Sequence, residues 1–186
     1  MQQVERSLRR IWSRAQSKLY EEPKKLVALG LARATEERVG GRSRTRYTIT
    51  SKGQRALARW VREPGDGPVL EFEQLVKIHF ADSGTKDDVL TNLRATLAWV
   101  EEQNVEHVRV GRAYLAGEGE FPQRAALNLI GGRFLTDFYE MVAEWARWAI
   151  DLVEDWPDDV RDARFDREVM AETVRRAERI SERVRT

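Results

Sequence analysis

The sequence predicts a mainly α protein with one small β-hairpin, built in two parts of opposite charge. Three observations predict it. Apolar residues recur at three- and four-residue spacing through most of the 186 residues, the pattern of amphipathic helices. One stretch, residues 31–49, departs from it, with strand-type residues on both sides of Gly40-Gly41. Charge then divides the chain. Residues 1–62 hold 16 Lys/Arg against 5 Asp/Glu, a net +11, and residues 63–186 hold 16 against 26, a net −10.

The elements follow in order. Val4, Leu8, Ile11 and Trp12 sit at helical spacing. Ser13 suits an N-cap, and a second helix is expected from Arg14 to Leu29 with Ala15, Leu19, Leu26 and Leu29 inward. Gly30 closes it at the position after the C-cap. Pro23 lies inside this pattern and is expected to kink or break the helix, because it has no N–H to donate. Leu31, Tyr47 and Ile49 mark a hairpin turning at Gly40-Gly41. Thr50 caps a third helix whose stripe is Ala56, Leu57, Trp60 and Val61.

Glu63 to Pro68 holds two prolines and two glycines, a linker signal. The reading is therefore a basic domain over 1–62, a linker over 63–69 and a helical domain over 70–186. In the helical part, Phe72, Leu75, Val76 and Phe80 share a face, and Thr85 begins a capping-box-like start. Leu90, Leu93, Leu97, Val100 and Asn104 follow on the next helix. Leu127, Gly131, Phe134, Phe138, Met141, Trp145, Trp148 and Leu152 line a further long one. Their alternating spacing is a seam for antiparallel packing. Two long helices bury little by themselves, so a second copy of the chain is expected to complete the core. The dimer seam is read as Leu90, Leu93, Leu97, Phe134, Phe138, Met141 and Leu152.

Several function classes are excluded. There is no cysteine, hence no disulfide, thiolate site or Cys nucleophile. His79 and His107 are the only imidazoles, and neither lies in a metal-ligand motif. No Gly-rich phosphate loop and no Ser-His-Asp order is present, so no enzyme, cofactor or metal is expected. The start of the sequence lacks a signal peptide, and no apolar run approaches a membrane span, so a cytoplasmic protein is expected.

The excess of cations over a whole domain points to a polyanion as partner. A helix, a turn, a second helix, a cationic hairpin and a capped third helix describe a winged helix-turn-helix. "SKLYEEPKKLVALGLARA" and "RTRYTITSKGQRAL" resemble the PadR family of bacterial transcription regulators. The matching positions are Leu19, Tyr20, Leu26, Gly30, Leu31, Tyr47, Thr50 and Gly53, within residues 4–62. Residues 69–158, with "FADSGTKDD", look like the long helical C-terminal domain of its larger members.

The resemblance implies a dimeric regulator, expected here as a repressor, with a recognition helix in the major groove of a double-stranded operator and wings along the backbone. Ser13, Arg14, Ser17 and Lys18 would then face base edges and phosphates from a helix N-terminus. Tyr20 and Lys24 would touch phosphates. Arg42, Arg44 and Arg46 alternate with Ser43 and Thr45, so one strand face carries all three arginines. Thr50 and Gly53 read as structural, a cap and a close-packing site. Family members that sense small molecules imply an aromatic effector, for which Trp99, Trp145 and Trp148 are the candidates; the same residues also suit helix packing.

The family has a helix before Val4. Its absence here leads us to expect an upstream segment, or the acidic half of a partner, over Val4, Leu8, Ile11 and Trp12. The alternative reading is a helical protein–protein module with a vestigial winged helix that binds no specific DNA.

Overall fold

The computed structural model describes residues 21–39 and 42–185. The expected helix over Val4–Trp12, the first half of the next one and the Gly40-Gly41 turn lie outside them. The chain divides into two compact units between Val69 and Leu70.

In the first unit, helix α1 spans Glu22–Ala28, strand β1 Ala32–Val39, strand β2 Arg42–Ile49 and helix α2 Ser51–Arg62. Pro23, where a kink or break is expected, falls at the start of a described helix. It sits in the first turn of α1, where its missing N–H would have had no partner and its fixed φ suits the helix. The end of α1 follows from Gly30, whose φ of +69° is open to glycine at little cost. The Gly30 N–H reaches the Val27 carbonyl at 2.9 Å and the Leu31 N–H reaches Leu26 at 2.8 Å. This pair of bonds is the Schellman closure. Leu26 and Leu29, expected inward, are exposed, because a two-turn helix against a two-stranded hairpin is covered on one side only.

Strands β1 and β2 are antiparallel, from Ala32 opposite Ile49 to Val39 opposite Arg42. Thr50 ties the base of the hairpin. Its hydroxyl donates to the Gly30 carbonyl at 2.7 Å and accepts from the Gly53 N–H at 3.1 Å. A Cβ on Gly53 would run into the carbonyl oxygen of Leu31, which itself accepts from the Thr50 N–H at 3.0 Å. Lys52 adds a bond from its ammonium to the Leu29 carbonyl at 2.8 Å. The C-terminus of α1, the hairpin base and the N-terminus of α2 are thus one knot. The α2 stripe leaves Leu57, Trp60 and Val61 largely exposed.

The second unit is helical. Helix α3 spans Glu73–His79, α4 Lys86–Leu115, α5 Ala125–Glu154 and α6 Arg167–Arg185. Thr85 and Asp88 form a full capping box at the start of α4, with the carboxylate in the role usually taken by Glu or Gln. The bonds from Thr85 hold the Asp88 carboxyl below the usual range. At the other end Tyr114 donates to the Glu120 carbonyl and accepts from Asn128, which closes the loop to α5.

Helices α4 and α5 have 30 residues each, roughly 45 Å of length. Their core joins Val89, Leu90 and Leu93 of α4 to Ala149 and Val153 of α5, flanked by Ile78, Trp145, Ile150 and Trp156. It continues through Thr96, Tyr139, Val142, Ala143 and Ala146. Lys86 donates to the carbonyls of Glu154 and Trp156, each at 2.7 Å, placing a cation at the C-terminus of α5 where the helix dipole favours it.

The seam differs from the expected one. On α5 the buried positions are Tyr139, Val142, Ala143, Ala146, Ala149 and Val153. Relative to Phe138, Met141, Trp145, Trp148 and Leu152, that line is displaced by one residue, about 100° around the helix. That face mixes the small Ala143, Ala146 and Ala149 with Tyr139, Val142 and Val153, and small residues let two helices pack closely. Of the expected line, Phe134 is 57% exposed, Met141 52% and Leu127 61%, while Trp145 packs partly buried against the core. Leu90 and Leu93 belong to the core of the single chain rather than to a dimer seam, with 6% and 0% exposed. Leu97, Phe138 and Leu152 lie at intermediate exposure.

Candidate nucleic-acid interface

Alternation along β1 and β2 sorts the hairpin into two unlike faces. Ala32, Ala34, Tyr47 and Ile49 share one. Arg33, Thr35, Glu37, Arg44, Arg46 and Thr48 share the other, since directly opposed residues project to the same side. Arg44 and Arg46 are therefore on one face, as the sequence predicts. The backbone of Arg42 pairs with Val39 at the tip; the side chain of Arg42 lies outside the described residues. Arg33 is a third described arginine on this face that the sequence reading missed.

Glu37 was also missed. Its carboxylate gathers two arginines: Oε2 accepts from Arg44 Nη2 at 2.8 Å and Nε at 3.2 Å, and Oε1 accepts from Arg46 Nη1 at 3.1 Å. The bonds from Arg44, then those from Arg46, hold the Glu37 carboxyl below its ordinary range. A signal for it existed. A hairpin expected to turn at residues 40–41 puts position 37 opposite position 44, and Glu37 does pair with Arg44 in the observed register.

The helical candidates are placed less fully. Lys24 is exposed early in α1, beside Lys25, which is paired with Glu22 at 2.8 Å. Ser13, Arg14, Ser17, Lys18 and Tyr20 lie outside the described residues.

The tryptophans do not converge. Trp99 sets its edge against Tyr139, with ring centroids 5.9 Å apart. Trp145 packs instead on Phe72 at 5.6 Å, and Trp148 is 47% exposed. His107 also meets Tyr139, at 5.8 Å, and bonds Thr136 at 2.9 Å. An apolar groove of about 490 Å³ lies elsewhere, lined by Leu70, Phe72, Leu75, Val76, Ile78 and His79. Among the described residues no group of three or more His, Asp or Glu could hold a metal, and no helix is long and apolar enough to cross a membrane.

Residues 73–154 match the family model described as virulence activator alpha C-term. The chain also resembles solved structures over both units. Against Bacillus subtilis PadR in complex with operator DNA, the TM-score is 0.65 at 17% identity, covering 82% of this chain and 87% of that one. Against the PadR-like transcriptional regulator BC1756 from Bacillus cereus it is 0.62 at 12% identity, covering 81% and 83%. The fold is that of the PadR-like regulators. The structure of smu.1604c from Streptococcus mutans UA159 has a TM-score of 0.66 at 18% identity, covering 78% and 84%. B. subtilis PadR has also been solved with p-coumaric acid, and that structure matches at 0.58 and 17%, covering 80% and 83%. No protein of curated function matches this chain by sequence. In the PadR-like fold the hairpin of β1 and β2 is the wing, and α3 to α6 form the helical C-terminal domain.

Proposed function

We propose that this protein is a PadR-type transcription regulator that binds a double-stranded DNA operator as a homodimer and represses from it. The observation that carries the reading is the wing face, with Arg33, Arg44 and Arg46 on one side of a hairpin in a domain of net charge +11. Such a face suits a phosphate backbone, because guanidinium forks match phosphate oxygens and contacts of this kind fix register on a duplex. The neighbour solved with operator DNA supports the operator as partner.

The dimer is supported by what the single chain leaves uncovered. On α5 the line of Leu127, Phe134, Met141 and Trp148 is exposed beside the buried alanine line. On α6, Met170, Val174, Ile180 and Val184 are exposed as well. Apolar surface on this scale marks an interaction site. The neighbour bound to p-coumaric acid supports extending the reading to an aromatic effector held by the helical domain.

The test is a mobility shift with DNA flanking the protein's own gene, at several salt concentrations. Retention is expected to weaken by about 0.9 log units per log unit of salt for each phosphate neutralised. No shift at low salt would favour the module that binds no DNA.

A further inference from the structure

The cationic face of the wing holds one acid among its described residues, and that acid is paired with two of its arginines. Glu37 gives one oxygen to Arg44 and the other to Arg46. A phosphodiester offers two arginines the same arrangement: two outer oxygens sharing a single negative charge, each able to take a guanidinium edge. The side chain of Glu37 is 26% exposed, against 61% for Arg44 and 66% for Arg46. Both arginine side chains stay mostly open to solvent while paired. Arg33, on the same face, adds to the charge but makes no bond to Glu37 among those described.

We propose that Glu37 is an internal stand-in for a backbone phosphate: it occupies Arg44 and Arg46 in the free protein and is displaced when the wing grips DNA. The inference rests on the DNA-binding reading and adds to it a residue that sets how much sequence-independent affinity the wing supplies. Exposed ion pairs hold weakly, so DNA can make the exchange. Its cost is felt equally on every sequence, because phosphates carry no sequence information. The carboxylate thereby lowers binding to bulk DNA and leaves discrimination to the base contacts of other elements. A glutamate is ionised at neutral pH in any case, and the bonds from Arg44, then Arg46, hold this carboxyl lower still.

The experiment compares wild type, Glu37→Gln, Arg44→Ala and the combined Glu37→Gln/Arg44→Ala/Arg46→Ala protein on a random-sequence duplex and on the duplex flanking the gene. Fluorescence anisotropy is read across salt, with thermal melting to show that each variant is folded. Glu37→Gln keeps the size and one acceptor oxygen and removes the charge. It is expected to bind both duplexes more tightly by the same factor. That gain is expected to shrink about eightfold per tenfold rise in salt for each wing engaged, the effect of about one further phosphate neutralised. In the combined variant the gain disappears, since nothing remains for the carboxylate to occupy. Glu37→Ala is expected to repeat the gain. If folded Glu37→Gln binds no tighter, or more weakly, while Arg44→Ala loses affinity, Glu37 positions the arginines and the stand-in is wrong, although the DNA-binding reading survives. If neither wild type nor Glu37→Gln holds any duplex at low salt, both fall.

Discussion

Replacing Phe134 with alanine tests the displaced seam directly. Phe134 is 57% exposed and stacks on Phe138 with centroids 6.4 Å apart and planes 9° from parallel, so the pair forms one flat apolar patch on α5. A phenylalanine side chain carries about 150–250 Å², which leaves on the order of 110 Å² of the ring to be covered by a partner. At ~25 cal/mol per Å² that is about 3 kcal/mol for each copy. A two-fold interface holds two copies, hence about 5 kcal/mol in all. Dimer dissociation is then expected to strengthen by roughly a thousandfold or more. Sedimentation equilibrium reads this as a fall from about twice 21.6 kDa toward the single-chain mass at micromolar concentration. The buried line supplies the comparison. Ala146 is 0% exposed, and Ala146→Leu overpacks the contact of α4 with α5 at a cost of ~1–3 kcal/mol. That cost appears in unfolding and leaves the outer face intact. If Phe134→Ala keeps the wild-type mass at every concentration, the outer line of α5 is not the dimer interface.

Four further outcomes are expected. Leu93→Ala, at 0% exposed, costs ~2–5 kcal/mol by cavity formation and is read by urea unfolding. Trp145→Ala costs less than the ~3–5 kcal/mol of a fully buried tryptophan, because the site is half-buried and its loss is shared with Phe72. Thr50→Ala removes the cap of α2 and the bond to Gly30, lowering stability by about 1 kcal/mol or more, and it weakens DNA binding by loosening the wing from α1. Asp159, held near a pKa of about 2 by hydrogen bonds from Arg161, contributes stability that is present above the ordinary carboxylate pKa and lost as pH falls from about 4 toward 2. In Asp159→Asn that part of the acid transition is absent from a pH titration of unfolding.

Local chemistry was legible in the sequence because it acts between neighbours. Gly30 announced the end of α1, Thr50 and Thr85 their caps, and Gly40-Gly41 the hairpin. Each depends on a few adjacent backbone groups, so residue type alone carries the signal. The α5 seam was not legible in the same way. Periodicity gives the angle between two apolar lines, and both the large-residue line and the alanine line repeat correctly. Which one turns inward depends on how near α4 comes, and that distance is a tertiary fact. Large side chains score as more hydrophobic, so the reading chose them, and the chain buries Ala143, Ala146 and Ala149 instead. The same reliance on size gathered Trp99, Trp145 and Trp148 into one candidate pocket, although separate aromatic neighbours, Tyr139 and Phe72, claim two of them. Glu37 was overlooked because an acid in a cationic run reads as a mere subtraction of charge.

The knot at Thr50 explains how these parts can act as one site. The wing carries the arginines, while α1 is the described helix nearest in sequence to the residues expected to read bases. A wing that rocked against α1 would let phosphate contacts form in many registers and position nothing. Thr50 prevents this by bonding Gly30 and Gly53 with one hydroxyl, and Lys52 crosses to Leu29. Gly53 is needed for that geometry, since any Cβ there would push Leu31 away and separate the two helix ends. The matching positions Gly30, Leu31, Thr50 and Gly53 thus hold the angle at which Arg44 and Arg46 are offered, and Glu37 sets the net charge that they offer. Orientation and strength reside in different residues, so Thr50→Ala is expected to blur operator preference while Glu37→Gln raises affinity for all sequences together.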